Sequence, residues 1–166
     1  MTYEARVVPA GARWTLIFIR ELRQPPPEVW AALTDPARLD RWAPFTAATD
    51  LSRPGPTTLT MVDGDERTDL AAEVLRADEP TLLEYTWGDD RLRWELEPSG
   101  AGTRLTLRHT LADRDMEAMV AAGWHLCEDV LQRLLDGEPV EAIRGPAAMA
   151  HGWAALRDSY ADQFKI

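Results

Sequence analysis

Residues 25–44 read PPPEVWAALTDPARLDRWAP, and the order of elements within them decides the fold. Pro25, Pro26 and Pro27 cannot donate to a strand ladder, whereas proline suits the first turn of a helix, so a helix begins here. Its inward stripe is Val29, Trp30 and Leu33. Thr34-Asp35-Pro36 ends that helix and opens a second, with Asp35 as the N-cap and Pro36 at the first helical position. Leu39 and Trp42 give the second helix its apolar side. Just upstream, Trp14, Leu16 and Phe18 alternate with Thr15, Ile17 and Ile19. A run apolar on both faces predicts a strand covered on both sides or central in its sheet.

Downstream, from Ala47 to Leu111, short runs of period two are separated by turn signals, which predicts an antiparallel meander. The breaks are Arg53-Pro54-Gly55-Pro56, Asp63-Gly64-Asp65, Asp78-Glu79-Pro80, Gly88-Asp89-Asp90 and Pro98 through Gly102, so six strands follow the helices. Leu83, Tyr85 and Trp87, then Leu92, Trp94 and Leu96, then Leu105, Leu107 and His109 each share one face. The other face carries Arg91, Arg93, Glu95, Glu97, Arg104, Thr106 and Arg108 and is expected to be wet.

Residues 116–136 return to a helical period, with Met116, Val120, Gly123, Trp124, Cys127, Val130, Leu131 and Leu134 on one stripe, and this helix is expected on the apolar sheet face. After Glu138, Gly145-Pro146 opens a further helix whose stripe is Met149, Trp153, Leu156, Tyr160 and Phe164. That stripe packs on the outer sheet face or on the long helix, or forms a homodimer contact. The domain reading is one domain over residues 1–137 with a helical extension over 138–166.

Four segments, in order, resemble the START-like superfamily, and within it the family related to the activator of the heat-shock protein 90 ATPase. They are Pro25 to Pro44; Asp78 to Trp87, a strand entered by an acidic-proline turn and ended by Thr86-Trp87; Leu96 to His109, a hairpin ending in histidine; and Gly123-Trp124 with Leu131 and Leu134. The resemblance spans residues 14 to about 136. Two departures stand out: Ala43 follows Trp42 where relatives often have a second tryptophan, and the tail beyond Glu138 is an addition. The resemblance implies an α+β helix-grip fold, a curved antiparallel sheet of seven strands gripping its last helix, with two short helices after strand one. It also implies a cavity between sheet and helix for an apolar or aromatic ligand.

The side chains expected nearest that cavity are Trp42, Tyr85, Trp87, Trp94, His109, Val120, Trp124 and Cys127. These rings either line a cavity or fill it. His109 is the sharpest polar candidate, since a buried polar group must find a partner, and Tyr85 is placed to supply one. A non-catalytic binding protein is the first reading. A chaperone-ATPase activator role and a cyclase- or dehydratase-like enzyme using His109 and Tyr85 are the alternatives.

The remaining features narrow the field. A net charge of −10 disfavours nucleic acid and anionic membranes as partners. A single cysteine, Cys127, forms no internal disulfide, and Glu4 and Arg6 interrupt any secretory signal, so a cytoplasmic protein is expected. His125 and Cys127, two apart on a helix, point in different directions and hold no common metal. Asp63-Gly64-Asp65-Glu66 lacks the length of a calcium loop and reads as a charged hairpin turn. There is no nucleophile elbow, phosphate loop or dinucleotide fingerprint, and neither a cofactor nor a metal is expected.

Overall fold

The computed structural model describes residues 3–63, 65–112, 115–144 and 147–164. The strand and helix pair expected at the start are present: β2 (Arg13–Leu22) leads into α1 (Pro26–Thr34) and α2 (Pro36–Leu39). Asp35 Oδ1 accepts the Ala37 amide at 3.1 Å, the cap the sequence implied. Val29, Trp30, Leu33, Leu39 and Trp42 are all buried; α2 ends at Leu39, so Trp42 lies in the turn after it, and its indole donates to the Ala32 carbonyl at 2.8 Å, tying that turn to α1.

The strand count needs a correction. A strand precedes the expected first one, β1 (Tyr3–Ala10), so the sheet has eight strands in the order β1-β2-β8-β7-β6-β5-β4-β3, with β3 (Phe45–Ala47), β4 (Gly55–Asp63), β5 (Glu66–Asp78), β6 (Leu82–Trp87), β7 (Asp90–Ser99) and β8 (Gly102–Leu111). All the pairings are antiparallel. β1 carries Pro9 and buries little besides Ala5, which suits an edge strand and leaves only a weak apolar alternation to read. β2 is thereby an interior strand of the sheet, hydrogen-bonded to β1 along one edge and to β8 along the other. Gly102 is dictated by the β2–β8 junction: a Cβ there would lie 2.0 Å from the Leu22 carbonyl oxygen.

α3 (Glu117–Leu135) lies on the concave face, whose inward residues include Tyr85, Leu92, Trp94, Leu105, Leu107 and His109. The outer face is charged as expected, with Arg93 and Arg108 both paired to Glu95. α3 buries more than the expected stripe. His125, Leu126, Glu128 and Gln132 are buried as well, while Met116 at its start is exposed. The tail explains part of this. It forms α4 (Ala147–Ala150) and α5 (Trp153–Phe164), separated at Gly152, whose φ of +81° suits glycine. The expected start at Gly145-Pro146 lies outside the described residues. α5 packs on α3: the Tyr160 hydroxyl and His125 Nδ1 are 2.7 Å apart, and Gln163 Nε2 donates to the Ala5 carbonyl. Tyr160 is buried, and Trp153, Leu156 and Phe164 pack against the same core, whereas Met149 stays exposed.

Under α3, on the β2 side, sits a cluster of titratable side chains, Arg20 and Glu128 buried among them, that the periodicity conceals. Arg20 points inward at the end of the Leu16, Phe18, Arg20 alternation and donates to Asp129 Oδ1 at 2.6 Å. Glu128 is fully buried. Burial pushes its carboxyl up to about 8, reinforced by Asp129 and opposed by Arg20. A carboxyl whose folded pKa lies above its unfolded value favours folding most when protonated. Its contribution is therefore complete below pH 4.5 and is lost as pH rises to about 8. Denaturant melts between pH 5 and 8 are expected to show stability falling by on the order of 3–5 kcal/mol more in the wild type than in Glu128→Gln.

Candidate functional site

On α3, residues 120, 123, 124 and 127 fall at spacings of three, one and three, which places them on one face. Val120, Gly123, Trp124 and Cys127 on that face form one wall of a cavity of about 400 Å³. Across from them stand Trp87 at the end of β6, Met61 and Val62 on β4, and Pro44 ahead of β3. The tail supplies the third wall through Ile143, Arg144, Ala148, Met149 and Trp153. The volume is within the ~300–1,000 Å³ usual for small-molecule sites.

Of the cavity residues expected from sequence, Trp87, Val120, Trp124 and Cys127 line this space. Trp42, Tyr85, Trp94 and His109 lie deeper, each 1% exposed or less, and pack the centre of the grip. There the indoles meet edge to face: Trp94 and Trp124 have ring centroids 5.3 Å apart at 86°, and Trp42 and Trp94 6.0 Å apart at 82°. The rings thus close the middle of the fold, and the cavity opens beside them, toward the β4 edge. The residues missed from sequence are Gly123 and Leu126 on α3, those of that edge, and those of the tail. Only Gly123 carried a signal: glycine inside a helix costs about 1 kcal/mol relative to alanine and needs a reason.

His109 is fully engaged. The Trp124 indole N–H can only donate, and it reaches His109 Nδ1 at 3.0 Å, so Nδ1 accepts and Nε2–H donates to Asp90 Oδ2 at 2.6 Å. Burial opposes charge on Asp90, yet the bonds from His109 and from the Ala112 amide hold its carboxyl below the ordinary value. The chain Asp90–His109–Trp124 therefore orients the ring that separates the packed core from the cavity. Tyr85 does not partner His109; its hydroxyl accepts from the Trp94 indole at 3.1 Å, and burial pushes its pKa upward. Burial likewise pushes the Cys127 thiol up to about 12, which suppresses the thiolate. Trp87 Nε1 is buried with no hydrogen-bond partner among the described residues.

Arg144 is the only charged residue among the described lining side chains. Its guanidinium is already committed: Nε donates to the Ala43 carbonyl at 3.0 Å, Nη2 to the Asp40 and Phe45 carbonyls, and Nη1 to Asp40 Oδ1 at 3.4 Å. It pins the tail to the turn between α2 and β3. Trp153 is covered from outside by Arg157, whose guanidinium carbon lies 5.2 Å from the ring centroid.

A family model described as Activator of Hsp90 ATPase homolog 1-like protein matches residues 23–136. No curated protein matches the chain. Among solved structures, CalU16 from Micromonospora echinospora is 24% identical, covers 97% of this chain and 94% of its own, and superposes with a TM-score of 0.68. A conserved protein of unknown function, EF2215 from Enterococcus faecalis, is 15% identical over 96% of this chain and 90% of its own, with a TM-score of 0.72. NE0264 from Nitrosomonas europaea is 26% identical over 80% of this chain and 100% of its own, with a TM-score of 0.65. The tail walls of the cavity lie beyond the family model, which ends at residue 136, whereas the 97% coverage by CalU16 reaches into them.

Two substitutions test this geometry. His109→Ala removes the acceptor of the Trp124 indole and the partner of Asp90, and is expected to destabilise the protein by about 2–4 kcal/mol in chemical denaturation. Arg144→Ala is expected to raise hydrogen exchange across residues 138–164 while the amides of β6 to β8 stay protected.

Proposed function

Because the chain belongs to the family of Activator of Hsp90 ATPase homolog 1-like proteins, we propose that it is a cytoplasmic, non-catalytic binding protein that holds an apolar or aromatic small molecule. The observation that carries this reading is the cavity of about 400 Å³ between α3, the β4 edge and the tail. Apart from Arg144 and the Cys127 thiol, its described walls are indole, thioether and aliphatic groups, the surface that apolar ligands bury to advantage. Its polar neighbours support binding over catalysis. Both ring nitrogens of His109 are occupied within the protein, and the Cys127 thiol is held protonated. An acid–base catalyst would need a group able to exchange a proton with the substrate.

The family's description favours a second reading, a domain that stimulates a chaperone ATPase. Adding the purified protein to such an ATPase decides that reading: an unchanged rate removes it.

For the binding reading, protein purified under native conditions is denatured and the released small molecules are identified by mass spectrometry. In parallel, the emptied protein is titrated with uncharged apolar probes while tryptophan fluorescence is followed. Saturable quenching through Trp87 and Trp124 is the expected result, weakened at least tenfold in Trp87→Ala. Absence of any saturable response to every probe would overturn the reading.

A further inference from the structure

Gly123 stands inside α3 with neither of the usual reasons for glycine. Its φ is not in the left-handed region, and a Cβ built on it meets no heavy atom within 4 Å. This contrasts with Gly102, where a Cβ would collide with the Leu22 carbonyl. No close approach of backbone to backbone demands Gly123, and a helix interior disfavours it. The open space before it is the cavity itself: Gly123 lies in the wall between Val120 and Trp124 and across from the β4 edge and Trp87.

From this we infer that Gly123 is the seat of the ligand and sets the size it can have, an uncharged molecule resting on the bare backbone of α3 between Trp87 and Trp124. The inference rests on the binding reading above and sharpens it. A side chain at this position would project into the space the ligand needs, whereas the helix would gain from it. The absence of charge follows from the lining. Each nitrogen of Arg144 already donates to Ala43, Asp40 or Phe45, and no carboxylate lines the space among the described residues. An ionised group would leave its hydration behind with nothing to replace it.

The experiment uses two fluorescent probes that share a ring system: uncharged N-phenyl-1-naphthylamine, and 8-anilino-1-naphthalenesulfonate, which adds a sulfonate. Each is titrated against the wild type, Gly123→Ala and Gly123→Leu, and the thermal midpoint of each protein is measured. The wild type is expected to bind the uncharged probe at least tenfold more tightly than the sulfonate. Gly123→Leu is expected to lose at least tenfold in affinity for the uncharged probe, and Gly123→Ala about threefold, with midpoints equal to or above the wild type. Should Gly123→Leu not fold, the Gly123→Ala loss together with an unchanged or raised midpoint still decides the matter. Equal affinity of the wild type and the Gly123 variants for the uncharged probe would overturn the seat while leaving the cavity as a binding site. Equal binding of the two probes would overturn the uncharged class. Failure of the wild type to bind the uncharged probe, or any other apolar probe, would remove the binding reading itself and this inference with it.

Discussion

The Trp124 indole sets the register of α3 against the sheet. It lies against the rings of Trp42, Trp87, Trp94 and His109, and its N–H is spent on His109 Nδ1. A ring of this size buries roughly 150–250 Å², so sliding or rotating the helix would forfeit much of its packing and strand its N–H. Once Trp124 is fixed, the helical repeat decides where every neighbour goes. Gly123, Val120 and Cys127 are turned toward the β4 edge, and His125 and Glu128 toward α5 and β2.

The two flanks of the helix are consequently unlike. On the β2 side, Arg20, Glu128 and His125 are buried while Asp129, the partner of Arg20, reaches solvent, and burial lowers the His125 pKa as it raises that of Glu128. Burial thus favours the neutral forms of Glu128 and His125 and leaves Arg20 with Asp129 as the ion pair, an arrangement that confers little net stability. On the β4 side the described residues that line the space across from α3 include no carboxylate. The space is mostly apolar, and the tail walls it with Ile143, Arg144, Ala148, Met149 and Trp153. Arg144, the one cation among the described residues of that wall, has been drawn into backbone carbonyls and Asp40. The sheet therefore grips its helix through aromatic packing in the middle, a titratable cluster on one flank and a mostly apolar cavity on the other.

Much of this was readable because it rests on local periodicity. The prolines at 25–27, the Asp35 cap, the six strands after the helices and the inward faces of β6 to β8 are consequences of backbone chemistry within a few residues. β1 escaped notice because an edge strand with Pro9 needs no continuous apolar face. Arg20 and Glu128 escaped because a charged residue is expected outside, and only its partners permit it inside. The tail helix was legible as a stripe, but its break at Gly152 and the exposure of Met149 were not.

By itself, then, the sequence determined the order of elements from β2 to α3, the antiparallel meander and the aromatic character of its centre, since each follows from turn chemistry and from which residues recur on one face, while the helix-grip fold was what the family resemblance implied. Tertiary structure alone decided which aromatic rings pack and which border empty space. Trp42, Tyr85, Trp94 and His109 were taken up by the core, while Trp87 and Trp124 were left facing the cavity. The reason is that a cavity is a property of what fails to meet across distant segments. β4, α3 and the tail are brought together only by the fold, and no periodicity within any one of them records the gap they leave.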